Sequence, residues 1–358
     1  MQTQVSKLNF TGVNLYVGID THKKSWKVAI YDDNIALRSF VQDPDPKLLA
    51  RYLNKTYPSA NYHCAYEAGF CGFWIQKSLE KQGLNCIVVN PADVPTTNKE
   101  HVFKTDARDC RKIAISLRSK LLEPIYIPTN KGLGARSIVR CYRDQVKERT
   151  RYKNKIKGKL NFFGVFYPEK YQDAKNHWTK GFCNWLADIK LDDDYGTWVL
   201  QDYIQKYLHA KDNVARVEKK MKELTQDKKY TQDAELLQSV TGVGLITTMT
   251  ILTEIEDIGR FKKLDTLCSY FGLVPSSNSS GEKESIGKIT HRGNKYLKTA
   301  IIEAAWIAIR YDPALTLKFS QLKHRMDANQ AIVRIGKKLI SRIFYVLRTR
   351  NMYQKGVV

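Results

Sequence analysis

Five short apolar runs, all before residue 92, constrain this chain more than any other feature: LYVGID, WKVAIYDD, RSFVQD, YHCAYEAG and NCIVVNP. Each has the length of a β-strand and is bounded by polar residues, glycine or proline. The first three follow one another with turn-length gaps, which predicts an antiparallel meander. Between the fourth and fifth, CGFWIQKSLEKQG has helical spacing and a glycine stop. Beyond the fifth, TDARDCRKIAISLRSK reads as a capped amphipathic helix. A sheet flanked by helices is therefore expected at the N-terminal end.

A three-strand meander followed by alternating strand and helix is the order of the ribonuclease H-like fold, and we expect that domain over residues 1–128. From about residue 129 the strand signals stop and long polar helices take over. Residues 131–159 carry eleven Lys/Arg against two acids. Such a run is either a solvated helix face or a helical arm lying along phosphates, with Tyr142, Tyr152 and Phe162 as stacking candidates. Residues 170–230 are aromatic, then acidic, then Lys-rich, which suggests a helical hairpin or coiled-coil insertion without a sustained heptad. The middle segment spans 129–232, and a mostly helical C-terminal domain spans 233–358. Within the latter, LLQSVTGVGLITTMTILTEI places Gly242 and Gly244 between two apolar helical runs. That pattern fits a helix-hairpin-helix-like element whose backbone amides hold a DNA phosphate, or equally a tight glycine turn in a bundle. The expected class is thus α/β plus all-α.

Charge narrows the partners. The 358 residues carry a formal charge of +23, a field suited to nucleic acid, with double-stranded DNA as the expected partner. No run of 18 apolar residues occurs and the N-terminus lacks a signal-peptide layout, so a cytoplasmic protein without a membrane partner is expected. Seven scattered cysteines with no C-x-x-C pair argue for reduced, buried thiols over disulfides or zinc.

Four carboxylates stand out. Asp20 ends the first strand and Glu67 ends the fourth, while Asp106 and Asp109 lie three apart at the start of a helix, hence on one face. Singly, Asp106 and Asp109 read as helix-capping charges, Asp20 as a turn cap and Glu67 as a surface residue. Together they suit Mg²⁺, with Mn²⁺ as a substitute, since hard divalent cations relieve carboxylate repulsion and two of them can clamp a phosphodiester.

With these residues in hand, the chain resembles the DEDD transposases of the insertion-sequence 110 family, relatives of the Piv site-specific invertase. The resemblance rests on VGIDTHKKSWKVAIYD, YEAG, FKTDARDCRKIA, IKGKLNFFGV, SVTGVGLITTMTILTEI, FKKLDTLCSYFGLVPSSNSSGEK and GKITHRGNKYLKTAIIEAAW, in that order. It implies a RuvC-like domain with Asp20, Glu67, Asp106 and Asp109 as catalytic metal ligands. It also implies that Ser280, the serine before Gly281, is a nucleophile that joins covalently to DNA, with Ser279 as its competitor, and that a structured noncoding (bridge) RNA selects donor and target. We read LVPSSNSSGEKES as a polar loop after a helix ending at Gly272. A serine hydroxyl needs activation. His291 is a candidate base or phosphate contact, and Lys288, Arg292 and Lys295 either neutralise the reacting phosphate or grip the backbone. Serine and carboxylates fall in different domains, which must then meet within one chain or across a homodimer or homotetramer. A metal-dependent nuclease or Holliday-junction resolvase without a covalent intermediate competes with this reading. So do an actin-like sugar kinase, which lacks its glycine-rich phosphate loops here, and a non-enzymatic helix-hairpin-helix module.

Overall fold

The computed structural model describes residues 9–95, 106–280, 283–290 and 292–356, with side chains left undescribed at 106–108, 276–280 and 283–288. The chain forms two compact units, divided between Ile127 and Pro128.

The first unit is built on a five-stranded sheet of order β3-β2-β1-β4-β5. Its strands are β1 (Asn14–Thr21), β2 (Trp26–Tyr31), β3 (Ala36–Gln42), β4 (Asn61–Glu67) and β5 (Asn85–Val89). β1 to β3 form the antiparallel meander, whereas β4 runs parallel to β1 and β5 parallel to β4. Leu15, Val17 and Ile19 alternate along β1, and the period-two pleat aims all three at one face. There they meet Leu49 and Leu53 of α1 (Pro46–Thr56) and Ile75 and Leu79 of α2 (Trp74–Lys81) in a buried core. α1 starts at a proline behind Asp45, whose carboxylate caps the Lys47 amide. The glycine stop expected after the second helix is Gly83, which adopts φ 81°. The opposite face of the sheet is covered by α3 (Asp106–Arg118), which packs across β1, β2 and β4.

The second unit is helical apart from one hairpin. α4 (Asn130–Phe162) and α6 (Asp194–Thr225) are 33 and 32 residues long, about 50 Å each. They lie antiparallel, since Tyr142 meets Glu218 while Tyr152 meets Tyr203. The short α5 (Lys180–Asp188) folds back on them. Around it, Phe182, Leu186, Tyr171 and Tyr207 close a small aromatic core with Tyr152, Ile156 and Leu160 of α4. The proximal part of α4 and α6 joins a larger core with α7 (Thr231–Ser239), α8 (Leu245–Ile255), α9 (Leu264–Phe271), α10 (Lys295–Tyr311), α11 (Pro313–Lys323) and α12 (Ala328–Thr349). No helix among the described residues is long and apolar enough to cross a membrane.

Three sequence expectations need correction. The serine stretch is not a loop: β6 (Pro275–Ser280) pairs antiparallel with β7 (Lys283–Ile289). The final pair, Ser280 with Lys283, leaves two residues for the connection, the length of the commonest hairpin turn. Polar serines hid the strand because they lack the apolar alternation by which strands are recognised. Tyr152 is no surface stacking residue, for it is 9% exposed inside the aromatic core; Tyr142 is tied by its hydroxyl to Glu218. Phe162, by contrast, is 77% exposed. All seven cysteines are free, as expected, but only Cys64, Cys86, Cys110 and Cys268 are buried, and Cys141 is exposed.

Candidate active site

Asp20 and Glu67 owe their places to the pleat. Gly18 pairs with Ala29 of β2 and Ala65 of β4, and these three small residues face the same side of the sheet. Two residues on, Asp20 and Glu67 continue that face at the C-terminal ends of adjacent parallel strands, one step past the Ile19–Tyr66 pair. Lys27, paired with Asp20 across the hairpin, shares the face as well.

The small residues let α3 sit unusually close. A Cβ on Gly18 would lie 2.0 Å from the Cys110 carbonyl oxygen and 2.6 Å from the Ala114 amide nitrogen. Cys110 and Ala114 are buried there with Ala29. Asp109, in the first turn of α3, directly precedes Cys110, and Cys110 lies close enough to Asp20 to feel its charge. The Cys110 thiol senses that proximity: burial pushes its pKa up, and the negative charge of Asp20 pushes it further. Asp20 is itself mostly enclosed, with 18% of its side chain exposed, and His22 Nε2 stands 3.2 Å from its Oδ2. Asp106 is the first residue of α3, and its side chain lies outside those described.

Hard carboxylate oxygens on one face, at the carboxyl ends of parallel strands, are the donor set a divalent cation takes. Among the described residues no three potential ligands already stand in a coordinating cluster. Asp20, Glu67 and Asp109 fit the cation by the chemistry of their oxygens. Gly18→Ala tests the packing beneath them. Its methyl group meets backbone that cannot rotate aside, so we expect a loss of about 3 kcal/mol, read as a thermal midpoint lowered by roughly 5 °C or more.

The remaining candidates lie in the second unit. Ser280 closes β6 at the tip of the hairpin. Lys288 lies in β7 with its side chain outside the description, and His291 lies outside the described residues altogether. Arg292 and Lys295 are exposed where the chain enters α10, with Lys295 Nζ 5.4 Å from the Tyr296 ring centroid. Gly242 and Gly244 form the turn between α7 and α8. Gly242 adopts φ 90°, and a Cβ there would lie 2.4 Å from the Ala304 carbonyl oxygen, so its glycine is required by the turn and by close packing on α10. Gly244 is exposed, has open space around its Cα, and directly precedes α8.

Comparison with known proteins adds the deciding observation. Residues 17–164 match the DEDD transposase family of the IS110 type, and residues 234–320 match the Transposase IS116/IS110/IS902 family. The chain belongs to the IS110 family of transposases. Its relatives agree. Over 304 residues it is 27% identical to y4qE of Sinorhizobium fredii, a protein named as a transposase, covering 84% of this chain and 73% of that one. It is 25% identical to the transposase for IS1533 of Leptospira borgpetersenii, covering 69% and 72% of the two chains. It is also 25% identical to the transposase for IS1111A of Coxiella burnetii, covering 76% and 74%. The enzyme is a DNA transposase/recombinase, and DNA transposition is its reaction class.

Gly18, His22 and Lys27 of the transposase do not stand out in the sequence as site residues. The signal for Gly18 was present as a small residue two places before each strand carboxylate, Gly18 before Asp20 and Ala65 before Glu67. A small residue there marks the strand face that a helix approaches closely.

Proposed function

We propose that the transposase cuts and rejoins DNA with two catalytic sets. One is a divalent-cation site on Asp20, Glu67, Asp106 and Asp109 in a ribonuclease H-like (RuvC-like) domain of residues 1–128. The other is Ser280, the nucleophile on the β6–β7 hairpin of a C-terminal domain of residues 233–358. The observation that carries the reading is the shared face of Asp20 and Glu67, against which the Gly18 contact seats α3, the helix that bears Asp109.

Mg²⁺, or Mn²⁺ in its place, would supply charge neutralisation of a phosphate and a lowered pKa for an attacking hydroxyl. The protein's own residues do the rest. The Ser280 oxygen bonds to phosphorus, the bond from phosphorus to the leaving deoxyribose oxygen breaks, and the serine proton passes to that oxygen. The phosphoserine link conserves the energy of the diester, so attack by a second deoxyribose hydroxyl reseals DNA without ATP. Arg292 and Lys295 at the hairpin's root hold the phosphate backbone, with Lys288 and His291 as further contacts. The glycine turn offers another phosphate the amide of the exposed Gly244, since the Val243 amide is held by the Val240 carbonyl.

The basic helix α4 suits a structured guide RNA, whose pairing would choose donor and target while the protein supplies grip and chemistry. A dimer or tetramer is supported by aromatic side chains exposed at one end of the α4–α6 pair: Phe162, Phe166, Tyr195 and Trp198 are 77%, 91%, 84% and 69% exposed. Two measurements test the reading. DNA strand exchange between plasmids carrying the element's ends should require a divalent cation, stop on chelation and resume on its return. Nucleic acid copurified with the transposase should sequence as one discrete RNA encoded beside its gene; random cellular RNA would remove the guide from the proposal. Binding to DNA should also weaken by about a thousandfold or more between 50 and 200 mM salt.

A further inference from the structure

A buried carboxylate stands at the root of the β6–β7 hairpin. Glu254, in the last turn of α8, is 1% exposed. Arg140 donates to it from Nε at 2.9 Å and from Nη2 at 3.1 Å. Arg136 Nε stands 3.4 Å away, and Asn294 donates from Nδ2 at 2.8 Å. The Glu254 carbonyl accepts from the Tyr270 hydroxyl at 2.9 Å and from Arg136 Nη2 at 3.3 Å. A desolvated carboxylate holds its place only with partners of this kind, and they in turn are fixed by it.

Asn294 connects this cluster to both feet of the hairpin. Its N–H donates to the Tyr270 carbonyl at 2.8 Å, two residues before Gly272, where the chain leaves α9 towards β6. Its Oδ1 accepts from the amides of Tyr296 and Leu297, capping α10 just beyond β7. The feet touch: a Cβ on Gly293 would lie 2.5 Å from Gly272 Cα. Above that contact the Thr290 amide donates to the Val274 carbonyl at 3.1 Å, and Lys298 Nζ donates to the Thr290 carbonyl at 2.9 Å. A helix cap alone needs only an acceptor, which serine or aspartate supplies. A side-chain amide accepts from the cap amides and donates to a carboxylate at once.

We propose that Asn294, held by Glu254 and Arg140, is a positioning residue for DNA strand cleavage that sets the direction in which the hairpin presents its tip. The proposal rests on the reading of Ser280 as the nucleophile. β6 is six residues long, so a small rotation at the root is carried out to a tip roughly 20 Å away.

The test uses the full-length transposase with Asn294→Ser, which keeps a capping oxygen and removes the donor to Glu254. Amide hydrogen exchange at Leu273 and Thr290, measured without DNA, should accelerate. Single-turnover cleavage at saturating DNA should fall by about a hundredfold, the scale of a misplaced reacting group, while the Kd for DNA stays near wild type and the thermal midpoint falls by only about 2–4 °C, as loss of one donor to a buried carboxylate implies. Arg140→Lys keeps the charge but not the two parallel bonds, and it should show the same pair of changes even if the first variant folds poorly. Unchanged exchange at the root, wild-type cleavage at saturating DNA, or a cleavage loss that merely follows the thermal midpoint would overturn the proposal. Failure of the Ser280 reading is distinct, because it shows as covalent adduct persisting in Ser280→Ala with the root intact.

Discussion

Asp20→Asn should slow DNA strand cleavage by at least about a thousandfold while leaving the transposase folded and bound to DNA. The magnitude follows from losing several kcal/mol of transition-state charge stabilisation, where each 1.4 kcal/mol or so is a factor of ten. Stability should move the other way or not at all. Asp20 and Glu67 end adjacent parallel strands on one face, so neutralising one removes a like-charge repulsion. The asparagine still offers an oxygen to His22, which stands 3.2 Å from Oδ2 in the native protein. Cleavage rate and thermal midpoint measured on the same preparation check both halves. A lowered midpoint would reassign Asp20 to structure.

Ser280→Ala is the second large effect. Strand exchange should drop by about ten-thousandfold or more, the scale seen when a nucleophile is deleted from a concerted site, and no protein–DNA adduct should accumulate. Alanine retains the backbone pairing of residue 280 with Lys283, so the variant should still form the hairpin. DNA affinity should stay near wild type, because charge neutralisation of phosphates dominates such affinities and a serine hydroxyl carries no charge. Gel separation of denatured protein from end-labelled DNA reads the adduct directly.

How legible these sites were in the sequence depended on how local their physics is. Asp20 and Glu67 could be read because a strand's period of two and its polar end are properties of a few consecutive residues. Asp109 could be placed on a helix, but the reason that helix lies so close to β1 is Gly18, whose missing Cβ leaves room for Cys110 and Ala114 some ninety residues away. The α4–α6 pair hid its heptad because Lys211 and Glu218 interrupt the apolar stripe of Leu200, Ile204, Tyr207, Val214 and Met221 on α6. Glu218 is tolerated because Tyr142 donates to it. The serine hairpin escaped for the opposite reason. Its residues have weak strand preference, and pairing across a two-residue connection imposes the extended form on them. Glu254 was illegible altogether: in TILTEIED it looks like a charge at the end of an apolar helix, and its partners Arg140 and Asn294 lie 114 and 40 residues away.

In the proposed reaction Ser280 of the hairpin, activated by the carboxylate site, carries the DNA during exchange. The most direct measurement traps the reaction on a suicide DNA substrate, digests the DNA to a nucleotide remnant and locates that remnant on the protein by mass spectrometry. A divalent-cation-dependent phosphodiester should be found on Ser280 and be absent in Asp20→Asn. Cleaved DNA with no adduct at all, as a metal-only resolvase would leave, or a remnant on Ser279 or any other residue, would contradict it.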